Sequence, residues 1–135
     1  MPWTVYKDDD HEIDIEMSRW AGGYGRNKTA DYAVQPFSSH VQTGLHWREP
    51  TSAQHTYHQF DWSPSRVAFE SGTVSADGNA STGVIRTWTF TDASRIPAAE
   101  GMLARINFWL FRGLTNLTAG SSVEAVLRSF EHVPS

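Results

Sequence analysis

The sequence predicts an all-β chain, a β-sandwich or jelly roll, and three observations lead there. Apolar and polar residues alternate with period two along most of the chain. Gly, Pro, Asn and Asp gather between the alternating runs. Aromatic residues make up 13% of the 135 residues, among them six Trp, seven Phe and four Tyr. Period-two alternation interrupted by turn residues marks half-buried antiparallel strands, and many short strands in one domain mark a sandwich or barrel rather than a βαβ array. The length suits a single domain over residues 1–135.

In chain order, strands are expected at 11–20, 30–35, 40–48, 54–63, 66–71, 83–90, 103–112 and 122–133. The first alternates Ile13, Ile15 and Met17 with Glu12, Asp14 and Glu16 before Gly22-Gly23 and Gly25-Arg26-Asn27 break the pattern. The runs at 30–35 and 40–48 close at Pro50-Thr51-Ser52. Those at 54–63 and 66–71 are separated by the break Ser63-Pro64-Ser65. Asp77-Gly78-Asn79 precedes the strand at 83–90, and Ile96-Pro97 follows it. A helical turn is expected only near Pro97–Met102. The run from Glu100 to Leu110 is too rich in Phe, Trp and Ile to read as a helix. Within 104–112, Ala104, Ile106, Phe108 and Leu110 share one face, expected to be core. Arg105, Asn107, Trp109 and Phe111 share the other. Thr118-Ala119-Gly120 precedes the last run.

Charge and composition exclude several functions. Eleven Lys and Arg against fifteen Asp and Glu give a net charge of −4, so no nucleic-acid partner is expected, since such binders usually carry a basic stripe. No run approaches 18 apolar residues, so no membrane-spanning helix is expected, and no charged-then-apolar leader opens these residues. Cysteine is absent, which removes disulfides, zinc–thiolate centres and thiol nucleophiles.

The most informative stretch is His11-Glu12-Ile13-Asp14-Ile15-Glu16-Met17. On a strand its three carboxylates point the same way. Neighbours about 6–7 Å apart repel by about 2–3 kcal/mol at an effective dielectric near 20. One reading is a solvated outer face on an edge strand, where acids discourage aggregation. The other is chemical. Glycoside hydrolysis uses one carboxylate as nucleophile and one carboxylic acid as proton donor, and a carboxyl between them can hold or share a proton. Glu12 and Glu16 lie about 13 Å apart at Cα on a straight strand, so they cooperate only if the strand curves or the side chains lean inward.

Glu12-Ile13-Asp14-Ile15-Glu16 resembles the active-site signature of glycoside hydrolase family 16, which includes lichenases, laminarinases and related endo-glucanases and galactanases on a concanavalin-like β-jelly roll. Further along, His55-Thr56-Tyr57 with Phe60-Asp61-Trp62-Ser63-Pro64 resembles a later strand and turn of that family. Arg105-Ile106-Asn107-Phe108-Trp109 resembles its strand ending Asn-Leu-Trp, and Val34-Gln35 is similar to the strand after the catalytic one. The likeness runs from about Tyr6 to Val133. It implies Glu12 as nucleophile, Asp14 as assisting residue and Glu16 as general acid/base, with Asn107, Trp109 and Gln35 contacting sugar. Trp20, four residues beyond Glu16, is a candidate for stacking on a pyranose ring or for packing at the rim. The implied activity is retaining, endo-acting hydrolysis of a β-linked polysaccharide, with β-1,3- or mixed β-1,3/1,4-glucan favoured. The alternative is a non-catalytic, lectin-like glycan-binding remnant of the same fold. No metal or organic cofactor is expected, and the family setting is extracellular or periplasmic.

Two features depart from the family pattern. Asp10 stands where the family often has an aromatic residue, and Ser18-Arg19-Trp20 where it often has a Gly. No counterpart of the family's N-terminal half precedes Glu12. The expectation is therefore a jelly roll that is partial, or completed by a second chain in a homodimer or strand-swapped assembly.

The remaining motifs carry little chemistry. His55 and His58 fall on opposite faces of a strand and cannot share a metal. Asp8-Asp9-Asp10 reads as a solvated acidic turn, with calcium binding the alternative. No Gly-x-Ser-x-Gly elbow occurs, and Ala21-Gly22-Gly23-Tyr24-Gly25 lacks the lysine of a phosphate loop. Asn27-Lys28-Thr29, Asn79-Ala80-Ser81 and Asn116-Leu117-Thr118 match glycosylation acceptors.

Overall fold

A computed structural model describes residues 2–18, 27–50, 55–108 and 124–133. Eight strands lie within them: β1 (Pro2–Asp8), β2 (His11–Glu16), β3 (Ala30–Val34), β4 (Gly44–Trp47), β5 (Thr56–Ser63), β6 (Arg66–Val74), β7 (Ser81–Phe90) and β8 (Leu103–Ile106). One sheet has the order β4-β3-β2-β1-β8 and the other β5-β6-β7. Every pairing is antiparallel, and no helix occurs among the described residues. The all-β fold read from alternation is thus the observed one, as two antiparallel sheets sharing a core.

That core is the inward face of both sheets. Ile13, Ile15, Tyr32, Val34 and Trp47 from the larger sheet meet Val67, Phe69 and Phe90 from the smaller one, all nearly or fully buried. Burial of an aliphatic or aromatic side chain contributes about 1.5–3 kcal/mol each, so this stripe is what holds the layers together. The Tyr32 ring stacks on Phe69 at 4.7 Å and tilts against Trp47 at 4.2 Å, which links the sheets through one residue. Its hydroxyl stays inside, 2.6 Å from Ser71 Oγ and 3.1 Å from the Arg86 carbonyl oxygen. Ser71 also meets His58 Nδ1 at 2.8 Å, and His58 Nε2 lies 2.9 Å from Thr56 Oγ1. The edge of the Trp3 indole packs on the same imidazole at 5.2 Å. The buried polar groups of Tyr32, Ser71 and His58 are tolerated because each finds a partner.

Strand β1 corrects the sequence reading, which began the first strand at residue 11. Asp8-Asp9-Asp10 is the exposed acidic turn expected, and it joins β1 to β2 as a hairpin. Asp8 pairs with His11, its Oδ1 accepting from the Asp10 backbone N–H at 3.1 Å and meeting His11 Nδ1 at 2.6 Å. Trp3 and Val5 face the core and Thr4 and Tyr6 the other way, an alternation blurred by the aromatic Tyr6 on the outer side and by the acidic run that follows.

Three other expectations change. The run at 122–133 forms no strand over 124–133, where every residue is exposed, including Val126 at 71% and Val133 at 74%. Val126, Leu127, Phe130 and Val133 do not alternate, so they cannot offer one face to a sheet. Pro97–Met102 holds a hydrogen-bonded turn, Met102 N–H to the Ala99 carbonyl at 3.2 Å with Gly101 at φ 77°, and no helix. β8 ends at Ile106. Register places Ala104 and Ile106 on the core-side face as expected, yet all four residues of the strand are exposed. Ile106 keeps 41% of its surface and Phe108 59%, so neither is core. Leu110 lies outside the described residues.

Candidate active site

The side of the larger sheet that faces away from the smaller one carries the carboxylates. Antiparallel register arranges them in rows across the strands. Glu12 stands opposite Tyr6 on β1. Asp14 lies between Thr4 on β1 and Ala33 on β3. Glu16 is opposite Asp31 on β3, and Asp31 is opposite His46 on β4. Because β2 is the central strand of five, these side chains are flanked on both sides, which an edge strand would not provide.

Burial then separates this face from a solvated one. Asp14 is 1% exposed and Thr4 6%, while Glu12 and Glu16 are half-buried. A row of acids on an outer edge strand would be wet, so the surface reading of the acidic stretch does not hold. Glu12 does not point straight out from its own row. Its Oε1 accepts a hydrogen bond from Thr4 Oγ1 at 3.0 Å, and Thr4 belongs to the Asp14 row. The Glu12 carboxylate therefore leans along the strand toward Glu16. That shortens the gap left by about 13 Å between their Cα atoms.

Electrostatics follow from the burial. Loss of water pushes the Asp14 carboxyl far above the ordinary carboxylate range, and the neighbouring Glu12 charge pushes the same way against the Thr4 hydroxyl. Asp14 is accordingly neutral at pH 7 and carries a proton between the two glutamates. Asp31, 1% exposed, is pushed up to about 8 by burial and then by the Glu16 charge. His46 is pushed down by burial and by Lys28. The contact of 4.0 Å between His46 Nδ1 and Asp31 Oδ2 is therefore one between neutral groups at pH 7 rather than an ion pair.

The remaining candidates are less well joined to this row. Gln35 is held next to Glu12, its backbone N–H donating to the Glu12 carbonyl at 2.9 Å. Its side-chain oxygen is occupied at the following turn, accepting from the Phe37 N–H at 3.0 Å. Asn107 is exposed and one residue beyond the last paired position of β8. Trp20 and Trp109 lie outside the described residues. Arg105, opposite Thr4, lays its guanidinium 4.3 Å from the Tyr6 ring centre and closes the β8 side of the face.

Sequence reasoning missed Thr4, Asp31 and His46. A usable signal existed for Asp31, because an Asp inside Ala30-Asp31-Tyr32-Ala33-Val34 is depleted in strands and requires a reason. Thr4 carried none, since its partner is known only from the register of an unexpected strand.

A separate depression of about 490 Å³ at the hairpin end is lined by Lys7, His11, Pro36, Arg95 and Glu100 among others, and the carboxylate row is not among its walls. No cluster of three or more His, Asp or Glu suited to a metal ion occurs among the described residues. No family model, curated protein or solved structure matches this chain.

Proposed function

We propose that this chain is a retaining, endo-acting hydrolase of a β-linked polysaccharide, a β-1,3- or mixed β-1,3/1,4-glucan, with Glu12 as nucleophile and Glu16 as general acid/base. One observation carries the reading. Three carboxyls share one face of the central strand, and the middle one, Asp14, is buried and neutral between the other two. A neutral Asp14 beside Glu12 offers an O–H to the nucleophile instead of a second negative charge, and Thr4 offers another. Together they hold the Glu12 carboxylate for attack from one direction.

In the first step a Glu12 oxygen bonds to the anomeric carbon while the glycosidic C–O bond breaks. The Glu16 proton passes to the departing sugar oxygen. In the second step Glu16, now a carboxylate, takes a proton from water as that water bonds to the anomeric carbon and releases Glu12. The transition state is oxocarbenium-like, and the carboxylates around it stabilise the positive charge. No external oxidant or cofactor enters the balance.

The test is reducing-end release from a panel of β-1,3-, β-1,4- and mixed-linkage glucans by the native chain, Glu12→Gln and Glu16→Gln. The native chain is expected to cleave at least one glucan, with each variant slower by about a hundredfold or more. Glucan retention on an affinity gel with no new reducing ends would instead favour the non-catalytic glycan-binding reading. Neither binding nor turnover would overturn both.

A further inference from the structure

Resting on the hydrolase reading above, the inference concerns what surrounds Glu16. We propose that Asp31 is a positioning residue for Glu16, its buried carboxyl group hydrogen-bonding the Glu16 carboxylate that forms when the acid gives up its proton. Register places Asp31 directly opposite Glu16 on the neighbouring strand. Opposed residues in an antiparallel pair have Cβ atoms about 4.5–5.5 Å apart, within reach of two carboxyl groups. Asp31 is 1% exposed, and its Oδ1 has no hydrogen-bond partner. A polar oxygen left this way in a native interior calls for an explanation. A neighbour that gains negative charge in the acid step supplies one.

The groups facing Asp31 agree with this role. Glu16 faces it from β2 and His46 from β4, with Lys28 acting on His46. No Arg or Lys salt bridge reaches the Asp31 carboxyl among the described residues. Burial and the Glu16 charge keep the proton on Asp31 up to about pH 8, against the opposing pull of the α-amino group. Below that pH the protonated carboxyl donates to the Glu16 carboxylate as negative charge develops there. Above it an Asp31 carboxylate repels the same charge. One residue thus aids the acid step on one side of its titration and opposes it on the other.

The experiment compares native chain, Asp31→Asn, Asp31→Ala and Glu16→Gln on two substrates across pH. One is the glucan cleaved fastest in the panel above. The other is a 2,4-dinitrophenyl glycoside of the matching disaccharide, whose leaving group departs without a proton. A group acting through Glu16 matters only where Glu16 donates. Asp31→Ala is expected to lose about tenfold to a hundredfold in kcat/KM on the glucan, the worth of one hydrogen bond to a charged group, with little change on the dinitrophenyl glycoside. Asp31→Asn keeps a donor that cannot ionise, so it should retain most of the glucan activity and lose the decline above pH 8. Equal losses on both substrates, or Asp31→Asn falling as far as Asp31→Ala, would overturn the role of Asp31 while leaving the hydrolase intact. Should Asp31→Ala fail to fold, the Asp31→Asn pH profile decides alone, and an unchanged alkaline decline overturns the proposal. A folded native chain without turnover overturns the hydrolase reading and this one with it.

Discussion

Asp14 has traded water for neighbours that do not satisfy it. It is 1% exposed and its Oδ1 lacks a hydrogen-bond partner. An unsatisfied buried polar atom costs about 1–3 kcal/mol. The linked ionisation adds to this. The folded-state value lies above the ordinary aspartate value of 3.8, so the folded chain keeps a proton that the unfolded chain has released by pH 7. For a carboxyl raised in this way, stability is fully present below the unfolded value and is lost as pH rises through the folded one. Asp14→Asn keeps the shape, cannot ionise and still offers N–H groups to Glu12. The variant is expected to be more stable than the native chain by about 1–3 kcal/mol at pH 7 and nearly equal near pH 4, while glucan hydrolysis falls. Thermal unfolding of both proteins at the two pH values checks this. A gain of the same size at pH 4, or none at pH 7, would show that ionisation of Asp14 is not what costs stability. The trade is typical of sites where a group is kept in the wrong surroundings for folding because the chemistry uses it.

Among the elements, β6 shows how backbone approach sets tolerance to change. It is the centre of the three-stranded sheet and shifts register between Ser71 and Gly72. A Cβ added to Gly72 would overlap the Gly83 carbonyl oxygen and the Tyr57 ring. At Gly83, on the neighbouring strand, the nearest atom to an added Cβ is Thr73 Oγ1 at an ordinary 3.5 Å. Gly72→Ala is therefore expected to destabilise by about 1–3 kcal/mol, the usual cost of overpacking, because backbone must move. Gly83→Ala should be neutral or slightly stabilising, since glycine in a strand carries excess chain entropy. Urea unfolding of the two variants separates them, and equal midpoints would contradict the packing argument. The same strands show what period two can reveal. β5, β6 and β7 were legible because the Ser63-Pro64-Ser65 and Asp77-Gly78-Asn79 breaks bracket clear alternation. β2 was legible because Glu12, Asp14 and Glu16 alternate with isoleucine, and their common face followed at once. β1 was not, because Tyr6 breaks its apolar–polar alternation and the strand runs into Asp8-Asp9-Asp10, which reads as a turn. Asp31 was not, because every residue of β3 is buried and a strand covered on both faces has no polar side to read. What alternation cannot carry is which residue stands opposite which, and the Glu16–Asp31–His46 row exists only through register.

At the scale of the molecule, the buried carboxyls and the buried histidines respond to pH with opposite signs. On the outer face of the larger sheet, Asp14 and Asp31 are raised and His46 is lowered, while Glu49, beside His58, is raised by burial with the Trp47 indole opposing. Between the sheets, His58 is lowered from 6.5 to about 4 by burial. Its side chain is 4% exposed, and its Nε2 lies 3.9 Å from Glu49 Oε1. A histidine lowered in the folded state costs stability as pH falls from 6.5 toward 4, because only the unfolded chain takes up the proton there. The raised carboxyls cost stability as pH rises from about 4 through about 8, because only the unfolded chain releases its protons there. Each group tilts stability by about 1.4 kcal/mol per pH unit inside its own window. Above pH 6.5 His58 is silent and the carboxyls act alone, so stability declines steadily toward pH 8. Between 4 and 6.5 the lowered His58 and His46 offset part of the carboxyl effect, and the three raised carboxyls still favour the acid side. The midpoint of thermal unfolding should therefore peak near pH 4–5 rather than at neutrality. Asp31→Asn should flatten the decline from about pH 4 up to about pH 8, the window in which only the folded chain keeps this proton. His58→Gln should raise the stability at pH 4 relative to that at pH 7, since the amide titrates in neither window. A native optimum at pH 7 or above would mean that the buried carboxyls are ionised in the folded chain, and the neutral Asp14 between Glu12 and Glu16 would fall with it.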